Sequence, residues 1–305
     1  MHALGDLIAG KYVLGQPVGA GGMGIVYRAR QLALERRVAI KMVRPELATS
    51  APFRERFRHE AIAAARSAHP NVVAIIDFHD DDADPQLVMS YVAGMRAGEL
   101  LAQGCTLARV INVIEQVLAA LAVAHARGIV HGDIKSDNIL VSVEEHHEHA
   151  TLIDFGLARI ADLPRSPGLP RAISGTPEYV APEVIGGEPP TAASDLYGVG
   201  IVLYEMLTGA TPFGGAEPPV IMTRHLDEPV PPLRTRCLQP IPRALERLVM
   251  RALQKDPRLR LAHANAFRDE LLSIPLTRDS APIMVTKPPS FDEDGITQDL
   301  SRCAG

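Results

Sequence analysis

The sequence predicts an α+β protein of two lobes: a small antiparallel β-sheet lobe with one helix, then a larger and mainly helical lobe. Two patterns carry this expectation. From residue 12 to residue 91 the chain is made of short β-branched runs broken by Gly, Pro or Asp, the pattern of strands and turns. After Gly98 apolar residues recur at three- and four-residue spacing over long stretches, the pattern of amphipathic helices. Segregated strands and helices pack as separate layers, and a cleft is expected where they meet.

In chain order, strands are expected over residues 12–18, 25–29, 38–43, 72–78 and 87–91. One helix interrupts them, because Phe53, Phe57, Ala61, Ala64, Ala65 and Ala68 share a helical spacing, and Glu60 falls on the edge of that apolar face. Further helices are expected over residues 107–127, 193–208, 243–253 and 262–272, with a Gly- and Pro-rich stretch over 154–190. From residue 276, Pro282, Pro288, Pro289 and scattered acids show little periodicity, so a flexible tail is expected. The expected division is 1–92 for the small lobe, 93–275 for the large lobe and 276–305 for the tail.

The formal charge of −5 over 305 residues argues against an obligatory nucleic-acid partner, which needs concentrated Lys and Arg. Cys105, Cys237 and Cys303 are far apart and form no CxxC pair, so neither a disulfide framework nor a zinc site is expected and a reducing cytoplasm is the simplest home. The apolar stretches around 110–126 and 196–207 carry Glu and polar neighbours, and no membrane span or secretory leader is expected.

Three constellations bear on chemistry. Gly19, Ala20, Gly21, Gly22, Met23 and Gly24 lie between two strands, where glycines let backbone N–H groups approach phosphates; alone, such a cluster is more often a turn. Lys41 closes the apolar run Val38-Ala39-Ile40, and a lysine buried there needs an anionic partner, for which Glu60 is placed. The strongest pattern is His131-Gly132-Asp133-Ile134-Lys135-Ser136-Asp137-Asn138, followed by Asp154-Phe155-Gly156. Phosphoryl transfer requires a carboxylate near the acceptor hydroxyl, oxygen ligands for a hard cation and positive charge beside the moving group. Asp133, Asn138, Asp154 and Lys135 supply each of these, whereas ordinary turn and cap roles would explain the residues singly but not as a set.

Taken together, the chain resembles the eukaryotic-like, Hanks-type serine/threonine protein kinases, most closely their bacterial branch, over motifs running from Gly19 to Arg260. The resemblance implies the two-lobed protein kinase fold, with ATP as phosphate donor and Mg²⁺, or Mn²⁺ in its place. It implies that Lys41 holds the α- and β-phosphates and pairs with Glu60, that Asp133 takes the acceptor proton, and that Lys135 stabilises the γ-phosphoryl group. Asn138 and Asp154 would hold the metal. Adenine would lie between Val18, Val26 and Ala39 on one side and Leu140 on the other, beside Met89, with the backbone of Ser90 and Val92 reading its edge and Tyr91 lining the hinge. Thr176 would brace Asp133 and Lys135, Glu183 would pair with Arg260, and Asp195 would bond the catalytic-loop backbone.

Two departures from the family pattern concern regulation. Gly132 stands where regulated members carry an arginine that binds a phosphorylated activation segment, and Gly168 and Pro170 stand about where bacterial relatives carry paired threonines. Activity independent of loop phosphorylation is the resulting expectation, although Arg159 retains one basic residue of the usual phosphate pocket. His-Gly-Asp also resembles aminoglycoside and choline phosphotransferases, so a small-molecule kinase is one alternative; a catalytically silent nucleotide-binding scaffold is the other. The His- and Glu-rich run 144–149 reads as a solvated hairpin turn rather than a metal site. Thr297 in Thr-Gln-Asp-Leu reads as a phosphothreonine site for a forkhead-associated partner domain.

Overall fold

The computed structural model describes residues 3–21, 24–80, 84–103, 105–144, 147–161, 176–237, 240–275 and 283. Strands β1 (Leu7–Ile8), β2 (Tyr12–Ala20), β3 (Gly24–Gln31) and β4 (Arg36–Val43) lead into the one-turn helix α1 (Pro45–Ala48) and into α2 (Ala51–Arg66); β5 (Ile75–His79) and β6 (Gln86–Ser90) follow. The six strands form one antiparallel sheet in the order β1-β2-β3-β4-β6-β5.

The period of two in β4 decides what faces the cleft. Val38, Ile40 and Met42 pack on one face against Ile8, Tyr12 and Leu14. Ala39 and Val43 pack on the other against Phe57 and Ala61 of α2 and against Val73, Leu87 and Met89. Lys41 belongs by parity to this second face, which turns it toward α2. In α2, Phe57, Glu60, Ala61 and Ala64 lie at three- and four-residue spacing and are all buried, so Glu60 is carried inward by its apolar neighbours.

The remainder is helical around two small antiparallel sheets. After β7 (Met95–Arg96) come α3 (Leu107–Ala126), β8 (Ile129–Val130), β9 (Ile139–Glu144), β10 (His147–Leu152) and β11 (Arg159–Ile160). Then follow α4 (Pro182–Ile185), α5 (Ala192–Thr208), α6 (Pro218–Asp227), α7 (Arg243–Ala252) and α8 (Ala264–Leu272). Helix α5 starts in a capping box of Thr191 and Ser194 and stops at Gly209, whose φ of 80° is the left-handed conformation that favours glycine at a helix end. Its residues from Leu196 to Leu207 are almost all buried, so it forms the axis on which the lobe is built. Helix α3 is long and apolar enough by composition to cross a bilayer, yet Val110, Ile114, Val117, Leu118 and Leu121 are buried against the rest of the fold, including α5 and α8.

The expected elements are found with shifted ends and some additions. Residues 72–74 stand outside β5, because Val72 forms a bridge to Leu152 and Val73 N donates to Leu152 O at 3.0 Å, tying the sheet lobe to the β9–β10 hairpin. Strand β1 and helix α6 had no clear periodic signature: β1 is two residues long, and α6 opens on Pro218-Pro219, which reads as a loop but suits the first turn of a helix. The expected hairpin near 144–149 is present as β9–β10, with Glu145 and His146 outside the described residues. Of the segment 276–305 only Ile283 is described. It is buried, and its N–H donates to Cys105 O at 2.6 Å.

Candidate active site

Between the sheet and the helical lobe, Lys41 Nζ lies 2.6 Å from Glu60 Oε1 and 3.0 Å from Asp154 Oδ1. Burial works against the Lys41 charge, but Glu60 and Asp154 outweigh it and hold its pKa above the ordinary lysine value. Burial also opposes ionisation of Asp154, yet the Lys41 ammonium and the Gly156 N–H keep it below the usual carboxylate range. Asp154 sits at φ 60°, a left-handed conformation that Asp tolerates. A second tie joins α2 to this segment: Arg56, one turn before Glu60, donates from Nε to Gly156 O at 2.7 Å.

Residues 131–138 are held by α5. Asp195, in its first turn, accepts from His131 N and Gly132 N, each at 2.8 Å, and lies 2.8 Å from His125 Nε2. His131 is fully buried with its ring 4.6 Å from that of Phe155; Nδ1 accepts from Asp133 N at 3.2 Å, which leaves Nε2 to donate to Ile153 O at 3.2 Å. One imidazole thus sets the spacing between the segment carrying Asp133 and the segment carrying Asp154. Gly132 has φ 78°, and a Cβ there would meet Leu157 O at 2.7 Å, so this backbone path favours glycine.

Around Asp133 the expected cluster is assembled. Lys135 Nζ lies 2.8 Å from Asp133 Oδ2 and donates to Thr176 Oγ1 at 2.9 Å. Asn138 Nδ2 donates to Asp133 O at 2.9 Å and to Asp133 Oδ2 at 3.2 Å, which leaves the Asn138 amide oxygen available. Beyond Thr176, Glu183 and Arg260 form a two-fold ion pair at 2.7 and 2.6 Å, with the guanidinium 4.8 Å above the Tyr197 ring.

Beside Lys41 a cavity of about 450 Å³ opens between the lobes. Val18, Gly19, Val26, Ala39, Met89, Ser90, Tyr91, Val92 and Leu140 all line it, as does the Lys41–Glu60–Asp154 group. Apolar walls, a polar strand edge and a charged inner end suit a ligand with a flat apolar part and an anionic part. Ala20, Gly21 and Gly24 do not line it, and Gly22 and Met23 lie outside the described residues. Gly24 has a different local reason to be glycine: a Cβ there would fall 2.0 Å from Met42 O on the neighbouring strand.

A model of the protein kinase domain matches residues 12–272. The chain belongs to the protein kinase family. Among its relatives, serine/threonine-protein kinase pkn3 of Myxococcus xanthus is 41% identical over 92% of this chain and 53% of its own length. PknB of Mycolicibacterium smegmatis is 35% identical over 96% of this chain and 49% of its own, and PrkC of Bacillus subtilis is 36% identical over 83% and 39%. These place the kinase among the bacterial Hanks-type enzymes, and it spans about half the length of the relatives it matches. The crystal structure of the Mycobacterium tuberculosis PknI kinase domain superimposes with a TM-score of 0.67 at 27% identity, covering 89% of this chain and 98% of that one.

Several residues of this kinase's cleft lay beyond sequence reasoning. Val73 and Ile153 join the apolar wall, and Arg96, Glu99 and Asp137 stand at the cavity mouth, where Arg96 and Asp137 pair at 2.9 Å. Arg56 is the most consequential, since its partner is a backbone carbonyl a hundred positions away and leaves no mark in the local sequence.

Proposed function

We propose that this kinase domain transfers the γ-phosphoryl group of ATP to serine or threonine hydroxyls of proteins. The observation that carries the reading is the contact set joining Asp133, Lys135, Thr176 and Asn138 beside a cavity that ends on Lys41, Glu60 and Asp154. Asp133 accepts the proton of the acceptor hydroxyl as its oxygen bonds to the γ-phosphorus; the bond from that phosphorus to the bridging oxygen breaks and ADP leaves. Lys135 offsets the charge on the moving phosphoryl group, and Lys41 holds the remaining phosphates.

The donor set fits a hard divalent cation. Asp154 stays ionised and Asn138 keeps its amide oxygen, so these two side chains would hold the cation. Mg²⁺, or Mn²⁺ in its place, neutralises phosphate charge when bound. We take residues 1–92 and 93–275 as the two lobes, the cytoplasmic side as the working location, and a forkhead-associated domain as reader of phosphorylated Thr297.

Activity without phosphorylation of the activation segment is part of the same reading. Gly132 offers no side chain to bind a loop phosphate, and α2 is already tied inward by Glu60 to Lys41 and by Arg56 to Gly156. Most of that segment, residues 162–175 with Ser166, Gly168, Pro170 and Ser174, lies outside the described residues. The test offers the native protein and Asp133→Asn radiolabelled ATP with a casein-like protein and, separately, an aminoglycoside. Label on the protein that disappears in the variant is expected. Label on the aminoglycoside would move the assignment to the small-molecule kinases, and no transfer would leave a scaffold.

A further inference from the structure

On the helical lobe, far in sequence from the catalytic cluster, an open groove of about 730 Å³ lies between the 233–237 turn and the start of α7. Pro240, Ile241 and Cys237 give it an apolar lining, and Arg234, Arg243 and Arg247 surround them. All three arginines are exposed, as is the adjacent Arg236. The one acid in the lining, Glu246, is engaged by Arg234 at 3.6 Å and accepts from its N–H at 3.4 Å; among the described residues Arg236, Arg243 and Arg247 have no carboxylate partner.

The arrangement is locally unfavourable. Arg243 is the first residue of α7, where the helix dipole repels a cation, and Arg247 sits one turn later, where like charges at four-residue spacing repel. In a chain whose net charge is −5, a cluster so placed is a strong local field of the opposite sign. An anionic group with an apolar portion would relieve both costs at once.

The chain itself carries such a segment. Residues 291–300 hold Asp292, Glu293, Asp294 and Asp299 with no Lys or Arg, and begin at Phe291. The chain leading to them is anchored on this same lobe, because Ile283 is buried in its core and bonds to Cys105 O. The nine residue steps from Ile283 to Asp292 span up to roughly 30 Å when extended, enough to cross a lobe. We propose that this groove is the docking site of the chain's own acidic segment 291–300, with arginines 234, 236, 243 and 247 meeting its carboxylates and Phe291 covering Ile241. The inference is independent of phosphoryl transfer, and docking would withdraw Thr297 from any partner that reads it.

The test uses the full chain with Cys237→Ser, labelled at Cys303 with a benzophenone maleimide; Cys105 is buried and escapes the reagent. After irradiation, mass spectrometry is expected to find adducts between the tail and peptides from 234–247 of the same molecule. Their yield falls about fivefold or more in Arg243→Glu/Arg247→Glu and on raising salt from about 0.05 to 0.5 M, where exposed charges are screened. It recovers when the reversed groove is combined with Asp292→Lys/Glu293→Lys/Asp294→Lys, which also shows that the groove variant is folded. Adducts elsewhere, adducts indifferent to charge reversal, or adducts only between two copies would each overturn the proposal.

Discussion

The two halves of the candidate active site are held in different ways. The catalytic loop rests on α5, a helix buried along most of its length, through Asp195 and its bonds to two backbone N–H groups. The nucleotide half depends instead on side chains reaching across the cleft: Lys41 from β4, Glu60 and Arg56 from α2, and the 154–156 segment between them. Breaking the first means leaving buried backbone donors unpaired in the middle of a core. Breaking the second requires only that a few long side chains part. The loop is therefore a fixed part of the fold, whereas α2 is tied to the site by side chains.

The comparison is broken most severely at Asp195. Removing its carboxylate in Asp195→Ala strands His131 N and Gly132 N and should cost about 3–5 kcal/mol, seen as a fall in denaturation midpoint with activity lost alongside it. Glu60→Gln should behave oppositely. The expected outcome is a fall in kcat on the order of 10²-fold with a smaller loss of stability than in Asp195→Ala, because Asp154 still faces Lys41 and the side chain keeps its volume. Equal stability losses in the two variants would remove the distinction.

How far this division was legible in the sequence differs between its two sides. The Asp195 contact, the Lys41–Glu60 pair and the Asp133–Lys135–Thr176 cluster were all expected, because each joins residues inside motifs whose order along the chain is diagnostic. Arg56 was not, since a bond to a backbone carbonyl needs no particular residue type at the far end. Gly132 was read only as a missing arginine; its φ of 78° and the closeness of Leu157 O give the position a backbone reason that spacing does not reveal. Strand β1 and helix α6 were missed on weaker local patterns, a two-residue strand and a proline pair that opens a helix rather than a loop.

Beneath residues 176–183, His225 adds to the fixed half. It is fully buried, bonded to Tyr197 Oη at 2.7 Å, and Phe213 lies against its ring. Burial, helped by nearby Lys255, pushes its pKa down to about 4. A histidine with a depressed folded pKa stabilises the fold above its unfolded value near 6.5, and that stability is lost as pH falls toward 4. Roughly 2–3 kcal/mol should disappear across this window, measured by chemical denaturation, and His225→Gln should flatten that slope. A smaller effect is expected at α2: Arg56→Ala should lower kcat about tenfold, or about 1.4 kcal/mol, with Arg56→Lys intermediate and the midpoint lowered less than in Asp195→Ala, because one charged donor to Gly156 O is lost.

If the contacts of Glu60 and Arg56 suffice to hold α2 in place, phosphate on the activation segment is dispensable. Co-expression with a phosphatase, mass spectrometry to establish that no phosphate remains, and an initial-rate assay in the first turnovers test it most directly. Full protein-kinase activity from the first time point, with no lag, is expected. A dephosphorylated enzyme that is inactive and recovers only as phosphate appears in residues 157–176 would contradict it.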